Sequence, residues 1–147
     1  MKLESTAFEN NGTIPSKYTC DGVEVSPPLR ISGVPENAKT LALIVDDPDA
    51  PNGTFLHWMV WNISPDTADI DEDTLPEGAR EGQTGFDEVG YGGPCPPDRE
   101  HRYYFKLYAL DKVLDIPEGA DLDTLQSAIE HHVIEEAELI GRYDRRR

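Results

Sequence analysis

The chain has 147 residues, with 29 acidic side chains against 13 basic ones, a formal net charge of −16 and a pI near 4.4. That length suits one hydrophobic core, and so large a negative charge argues against nucleic acid as a partner. No stretch approaches the roughly 18 apolar residues of a bilayer span, and the start, MKLESTAFENNG, lacks the basic-then-apolar order of a signal peptide, so a soluble, cytoplasmic protein without stable membrane association is expected.

Short β-rich runs bounded by Gly, Pro, Asn and Asp follow one another along the chain: LESTAF, PPLRI, TLALIVDD, LHWMVWNIS and YYFKLYAL. They predict a mostly-β fold, a two-sheet antiparallel β-sandwich with one or two short helices, as a single domain over residues 1–147. LALIV is apolar at consecutive positions, the pattern of a strand covered on both faces, whereas YYFKLYAL puts Tyr103, Phe105, Leu107 and Ala109 on one side. From Pro65 to Pro97 the chain is acidic and rich in Gly and Pro, which predicts a long irregular connection with at most short helical turns. A helix is expected from about Asp121 to Glu135, capped by Asp121, with Leu122, Leu125, Ile129 and Val133 on one face. Ala137, Leu139, Gly141 and Tyr143 then alternate as a final edge strand, and Arg145–Arg147 reads as a frayed tail.

Cys20 and Cys95 match neither a zinc spacing nor a redox pair; two buried thiols are the expectation, with a disulfide left open.

Three stretches place ionisable groups beside backbone-restricting residues. In Asp46-Asp47-Pro48-Asp49-Ala50-Pro51, Asp47 ends a buried strand and has to be hydrogen-bonded or paired there; a turn in which Asp accepts backbone N–H groups would satisfy it. In Phe55-Leu56-His57-Trp58, the imidazole opens an apolar strand, with Asp47 as its candidate partner. In Gly90-Tyr91-Gly92-Gly93-Pro94-Cys95-Pro96-Pro97, the backbone can come close to a ligand and offer the Gly92 and Gly93 amides to an anion. His101 and Tyr103, two apart at the start of the next strand, point to the same side.

DPDAP, HWMVWNI, GYGGPCPP and HRYYFKLYALD, in this order and spacing, resemble the signature blocks of the phosphatidylethanolamine-binding family, in its bacterial and archaeal Raf kinase inhibitor-like branch. IPSKYTCDGVEVSPPL and LQSAIEHHVIEEAELIGRY are similar to that branch as well, so the resemblance spans nearly the whole chain. It implies a β-sandwich with a small pocket at one end that accepts phosphate, a phosphorylated headgroup or a similar anion. By matching motif the pocket falls on Asp47, Pro48, His57, Gly93, Pro94, His101 and Tyr103. It also implies relatives that regulate kinases or proteases, and frequent pairing of subunits into a homodimer. His131 stands where that branch often has Gly, and Thr84-Gly85-Phe86 replaces a more polar loop. The helix that closes the eukaryotic branch has no counterpart in this sequence.

The reading is of a binding protein and not an enzyme, with Asp47 orienting His57 and no cofactor implied. The alternative is a metal-dependent enzyme in which Asp47, His57 and His101 form a two-His-one-carboxylate site. A Ser or Cys hydrolase is disfavoured, since no GxSxG occurs and Cys95 lies between two prolines.

Acids occupy almost every loop, which suggests a surface adapted to a salt-accumulating host. Counterions screen such self-repulsion, the Debye length falling to about 3 Å at 1 M. The thermal midpoint is therefore expected to climb from low to molar KCl, and a flat midpoint across that range would contradict it.

Overall fold

The computed structural model describes residues 1–145. Two sheets face each other across one core. Strands β1 (Lys2–Glu4), β3 (Leu29–Ser32) and β6 (Asp69–Ile70) form the small sheet. The large sheet runs β2-β9-β8-β4-β5-β7, from β2 (Gly12–Thr13), β9 (Val133–Tyr143), β8 (His101–Leu110), β4 (Thr40–Asp47), β5 (Phe55–Ile63) and β7 (Arg80–Glu81). All pairings are antiparallel except that of β2 with β9.

The side-chain period of two, with cover on both faces, explains why β4 is buried throughout and apolar from Leu41 to Val45. Leu41, Leu43 and Val45 pack between the sheets with Trp58, Val60, Phe105 and Leu107. Ala42 and Ile44 face the other way, onto a second cluster with Met59, Trp61, Leu125 and Ile129, where helix α1 (Leu122–Ile129) covers the large sheet. Strand β8 alternates as its sequence predicts, with Tyr103, Phe105, Leu107 and Ala109 buried.

The helix is shorter than its periodicity suggests. Asp121 caps it by accepting from the Thr124 amide at 2.9 Å, but it stops at Ile129. His131 adopts φ 67°, the left-handed conformation that reverses the chain, and Val133 opens β9 instead of closing a helical face. The connection between residues 65 and 97 holds the two-residue strands β6 and β7 and no helix. Of the tail expected to fray, Arg145 reaches Asp21 at 3.2 Å, and the last two residues lie outside the described ones. Among the described residues no helix is long and apolar enough to cross a membrane.

Cys20 and Cys95 are not free thiols. They form a disulfide across 75 residues of sequence, joining the segment after the 3-10 turn Ser16–Tyr18 to the Gly/Pro-rich loop. The bond is seconded by Cys20 N donating to the Pro94 carbonyl at 3.1 Å, Tyr91 Oη to the Tyr18 carbonyl at 2.7 Å, and Gly93 N to Glu24 Oε2 at 3.0 Å. Disulfides persist in oxidising compartments and in the intracellular proteins of hyperthermophiles.

Closing a loop of that length removes chain entropy worth about 4 kcal/mol from the unfolded state. Cys20→Ser with Cys95→Ser is expected to lower the thermal midpoint by roughly 10 °C. Thiol titration of the denatured, unreduced wild type should find no free thiol; two free thiols would contradict the bond.

Candidate functional site

Antiparallel pairing puts the end of β4 beside the starts of β5 and β8, with Asp47 opposite Phe55 and Asp46 opposite both Leu56 and Tyr104. Three short sequence motifs thus meet at one end of the large sheet. Between Val45 and Asp46 the register slips: Val45 pairs with Trp58 while Asp46 pairs with Leu56, which leaves His57 as the extra residue of a β-bulge. A bulge re-aims a side chain, and here it keeps His57 on the site's face together with Tyr103 instead of among the second cluster under the helix.

His57 is nearly buried, with the rings of Phe55, Phe86 and Tyr103 around it at centroid distances of 5.0, 5.5 and 5.2 Å. Its Nδ1 lies 2.8 Å from the Gly92 carbonyl, an acceptor, so that nitrogen carries the proton. Desolvation pushes the imidazole below its ordinary value, opposed by hydrogen bonding to Gly92 and by the charges of Asp47 and Asp46. The ring is therefore neutral at neutral pH. Nε2, the nitrogen left for the cavity, is an acceptor.

Asp47 does not orient His57 as the sequence suggests. Its Oδ2 meets His101 Nδ1 at 2.6 Å, and its Oδ1 accepts from the Asp49 amide at 2.8 Å, closing the strand-ending turn. Both β5 and β8 flank β4, but His57 turns its Nδ1 to the Gly92 carbonyl, whereas His101 and Tyr103 extend the face that begins with Val45 and Asp47. His101 Nε2 meets a second carboxylate, Asp98 Oδ1, at 2.7 Å. Ionised carboxylates only accept, so both nitrogens of His101 donate. The His101 contact comes first among the influences holding the Asp98 carboxyl below its usual range.

Neighbouring acids are paired too. Asp49 takes Arg102 in a two-pronged contact at 2.9 and 2.8 Å plus the Arg102 amide at 2.9 Å, which holds its carboxyl well below the carboxylate range. Asp46 binds Lys106 at 2.9 Å.

Tyr103 is 1% exposed, and its hydroxyl finds no hydrogen-bond partner among the described residues. The Cys95 backbone is close enough to ease ionisation slightly, but not in hydrogen-bond geometry. Burial, then the charge of Asp47, holds the phenol protonated far above its ordinary range. A buried donor without a partner is uncommon, and this one lies on a cavity wall.

Asp47, His57, His101 and Tyr103 line one cavity of about 280 Å³, whose remaining wall is Ala50, Pro51, Asn52, Phe55, Phe86, Cys95, Pro96 and Pro97. Pro48, Gly93 and Pro94 are not among the lining residues. Pro48 is exposed at the turn, and Gly93 and Pro94 are buried behind the loop. Nor do the Gly92 and Gly93 amides face a ligand, because Gly92 N donates to the His57 carbonyl at 2.9 Å and Gly93 N to Glu24. These glycines allow close packing: a Cβ on Gly92 would lie 2.4 Å from the Phe86 ring, and one on Gly93 2.8 Å from the Tyr18 carbonyl. The metal alternative is not supported, since no group of three or more His, Cys, Asp or Glu side chains converges to hold an ion among the described residues. Asp98 and the aromatic rim of Phe55 and Phe86 were not foreseen as site residues, although Asp98 lies only three residues before His101.

Residues 4–144 match the family model described as phosphatidylethanolamine-binding protein. A UPF0098 protein of Methanothermobacter thermautotrophicus is 50% identical over 150 residues, covering 99% of each chain. The crystal structure of a putative phosphatidylethanolamine-binding protein homologue from Chlamydia trachomatis superposes with a TM-score of 0.95 at 45% identity, over 99% of this chain and 97% of that one. Escherichia coli YbcL, described as a new member of the mammalian PEBP family, gives 0.92 at 30% identity, over 99% and 98%.

Proposed function

The chain belongs to the phosphatidylethanolamine-binding protein family, and from that premise we propose that its cavity binds a small organic oxyanion, such as a phosphorylated headgroup, in singly protonated form. The observation that carries the reading is the unpartnered Tyr103 hydroxyl on the cavity wall beside the acceptor Nε2 of His57. A phosphomonoester monoanion has both kinds of oxygen these two groups require. A bare oxygen accepts from Tyr103, and the P–OH donates to His57. The dianion would set a lone pair against the Nε2 lone pair. At about 280 Å³ the cavity sits just below the roughly 300 Å³ at which pockets for small organic molecules begin. The rings of Phe55 and Phe86 and the prolines offer apolar contact to a short organic body.

Binding of this kind needs neither a nucleophile nor a metal. Regulation of a kinase or protease is a property that the resemblance implies for relatives, and fold-level likeness does not transfer a partner.

The proton count gives the pH dependence. Free His57 is neutral, held so by desolvation against the pull of Asp46 and Asp47, so the bridging proton arrives with the ligand. Affinity is expected to rise as pH falls from 8 through the ligand's second dissociation, about pH 6 for a phosphomonoester, and then to level off. Calorimetric titration with O-phosphoethanolamine and inorganic phosphate tests this. Tyr103→Phe should weaken both by roughly tenfold or more, and His57→Ala should flatten the pH profile. Unchanged affinity in Tyr103→Phe would overturn the reading.

A further inference from the structure

Among the described residues that line the cavity, His101 Nε2 is the one cationic donor an oxyanion would be expected to use, and a carboxylate of the chain itself already holds it. The two carboxylates on the ring are not equivalent. Asp47 is 4% exposed, ends a central strand, and has its second oxygen fixed by the Asp49 amide. The Asp98 side chain is 48% exposed, on a stretch without regular secondary structure. Besides His101, its contact is with the amide of its own neighbour Arg99, at 2.9 Å. Asp47 is therefore built into the frame, whereas Asp98 can swing into solvent by rotation of its own side chain.

We propose that Asp98 is an intramolecular competitor for the anion site: its carboxylate occupies the His101 Nε2 that an incoming oxyanion takes over, and its displacement sets the affinity for ligand. The inference rests on the oxyanion reading of the cavity. It follows from geometry and charge. The ring, 1% exposed, has one side closed by Asp47 and the other by Asp98, and it lines the cavity together with Pro97 and Tyr103. An oxyanion that extends from Tyr103 toward the ring of His101, which lines the same cavity, finds its Nε2 already taken by Asp98, itself outside the lining. When it leaves, the ligand's oxygen inherits a charge-assisted hydrogen bond and the repulsion between two anions disappears. Asp98 also acts as a filter, since only ligands that out-compete a tethered carboxylate for this donor stay bound.

The test is a titration of the full-length chain with inorganic phosphate, comparing wild type, Asp98→Ala, Asp98→Asn and Tyr103→Phe. Asp98→Ala is expected to tighten phosphate binding by roughly tenfold or more, with Asp98→Asn changing it in the same direction because the amide keeps the shape without the charge. Adding Tyr103→Phe to Asp98→Ala should cancel much of the gain. Acetate should compete with phosphate in Asp98→Ala, where it replaces the missing side chain, and not in wild type. Because Asp98 is half-exposed, a thermal melt should find both variants folded. If wild type binds phosphate in a Tyr103-dependent way while Asp98→Ala binds no better or worse, Asp98 is a positioning residue and the proposal fails, leaving the cavity reading intact. If neither wild type nor Asp98→Ala binds phosphate, both fail.

Discussion

A carboxylate at the end of a strand covered on both faces is tolerated only when its oxygens are satisfied, and the Asp47–His101 contact does this at the junction of β4 and β8. Taking away one member of such a buried pair typically costs about 3–5 kcal/mol, because the other charge is stranded. The pair also has a geometric role. It ties the DPDAP turn to the first residue of β8, and the Asp49–Arg102 contact repeats the tie one residue further along. With those two strands fixed, Tyr103 is held against His57 and the loop wall closes the cavity around them.

The arrangement settles how charge is distributed at the site. A chain with net charge −16 repels anions at long range, and the cavity's acids would add to that were they free. They are not: Asp46, Asp47 and Asp49 each contact a basic group. What faces a ligand is therefore a short-range pattern of donors and acceptors more than a field: the Tyr103 hydroxyl gives, His57 Nε2 takes, and His101 Nε2 gives if Asp98 lets go. A desolvated imidazole that stays neutral is useful here, since it discriminates between protonation states of the same ligand.

Much of the architecture was legible because it depends on local pattern. The apolar run of β4 required cover on both faces and has it, and the alternation of β8 named its buried side. Motif matching also named the four polar residues that line the cavity. What escaped depends on relations between distant segments. The bulge at His57 is a mismatch of register between β4 and β5, which neither strand's sequence displays alone. Asp47 meets His101 and not the His57 that the sequence suggests, because the bulge and the Gly92 carbonyl engage His57 elsewhere. The Cys20–Cys95 bond joins loops 75 residues apart. The amides of Gly92 and Gly93 looked free for a ligand, yet the glycines serve the close approach of Phe86 and of the Tyr18 backbone. The helix end is the nearest miss: the sequence puts His131 where the branch often has Gly, but the consequence, an early strand, lies in its left-handed backbone angle.

The chemistry of the cavity depends on where the protons of two histidines sit. Of four histidines in the chain, His57 and His101 are distinguished by single substitution, and a nitrogen–proton correlation spectrum of the imidazole rings reads each nitrogen directly. At neutral pH and without ligand, His101 should carry a proton on both nitrogens, one toward Asp47 and one toward Asp98, while His57 carries one on Nδ1 alone. A His57 ring protonated at Nε2, or a His101 ring with a bare Nε2, would contradict it.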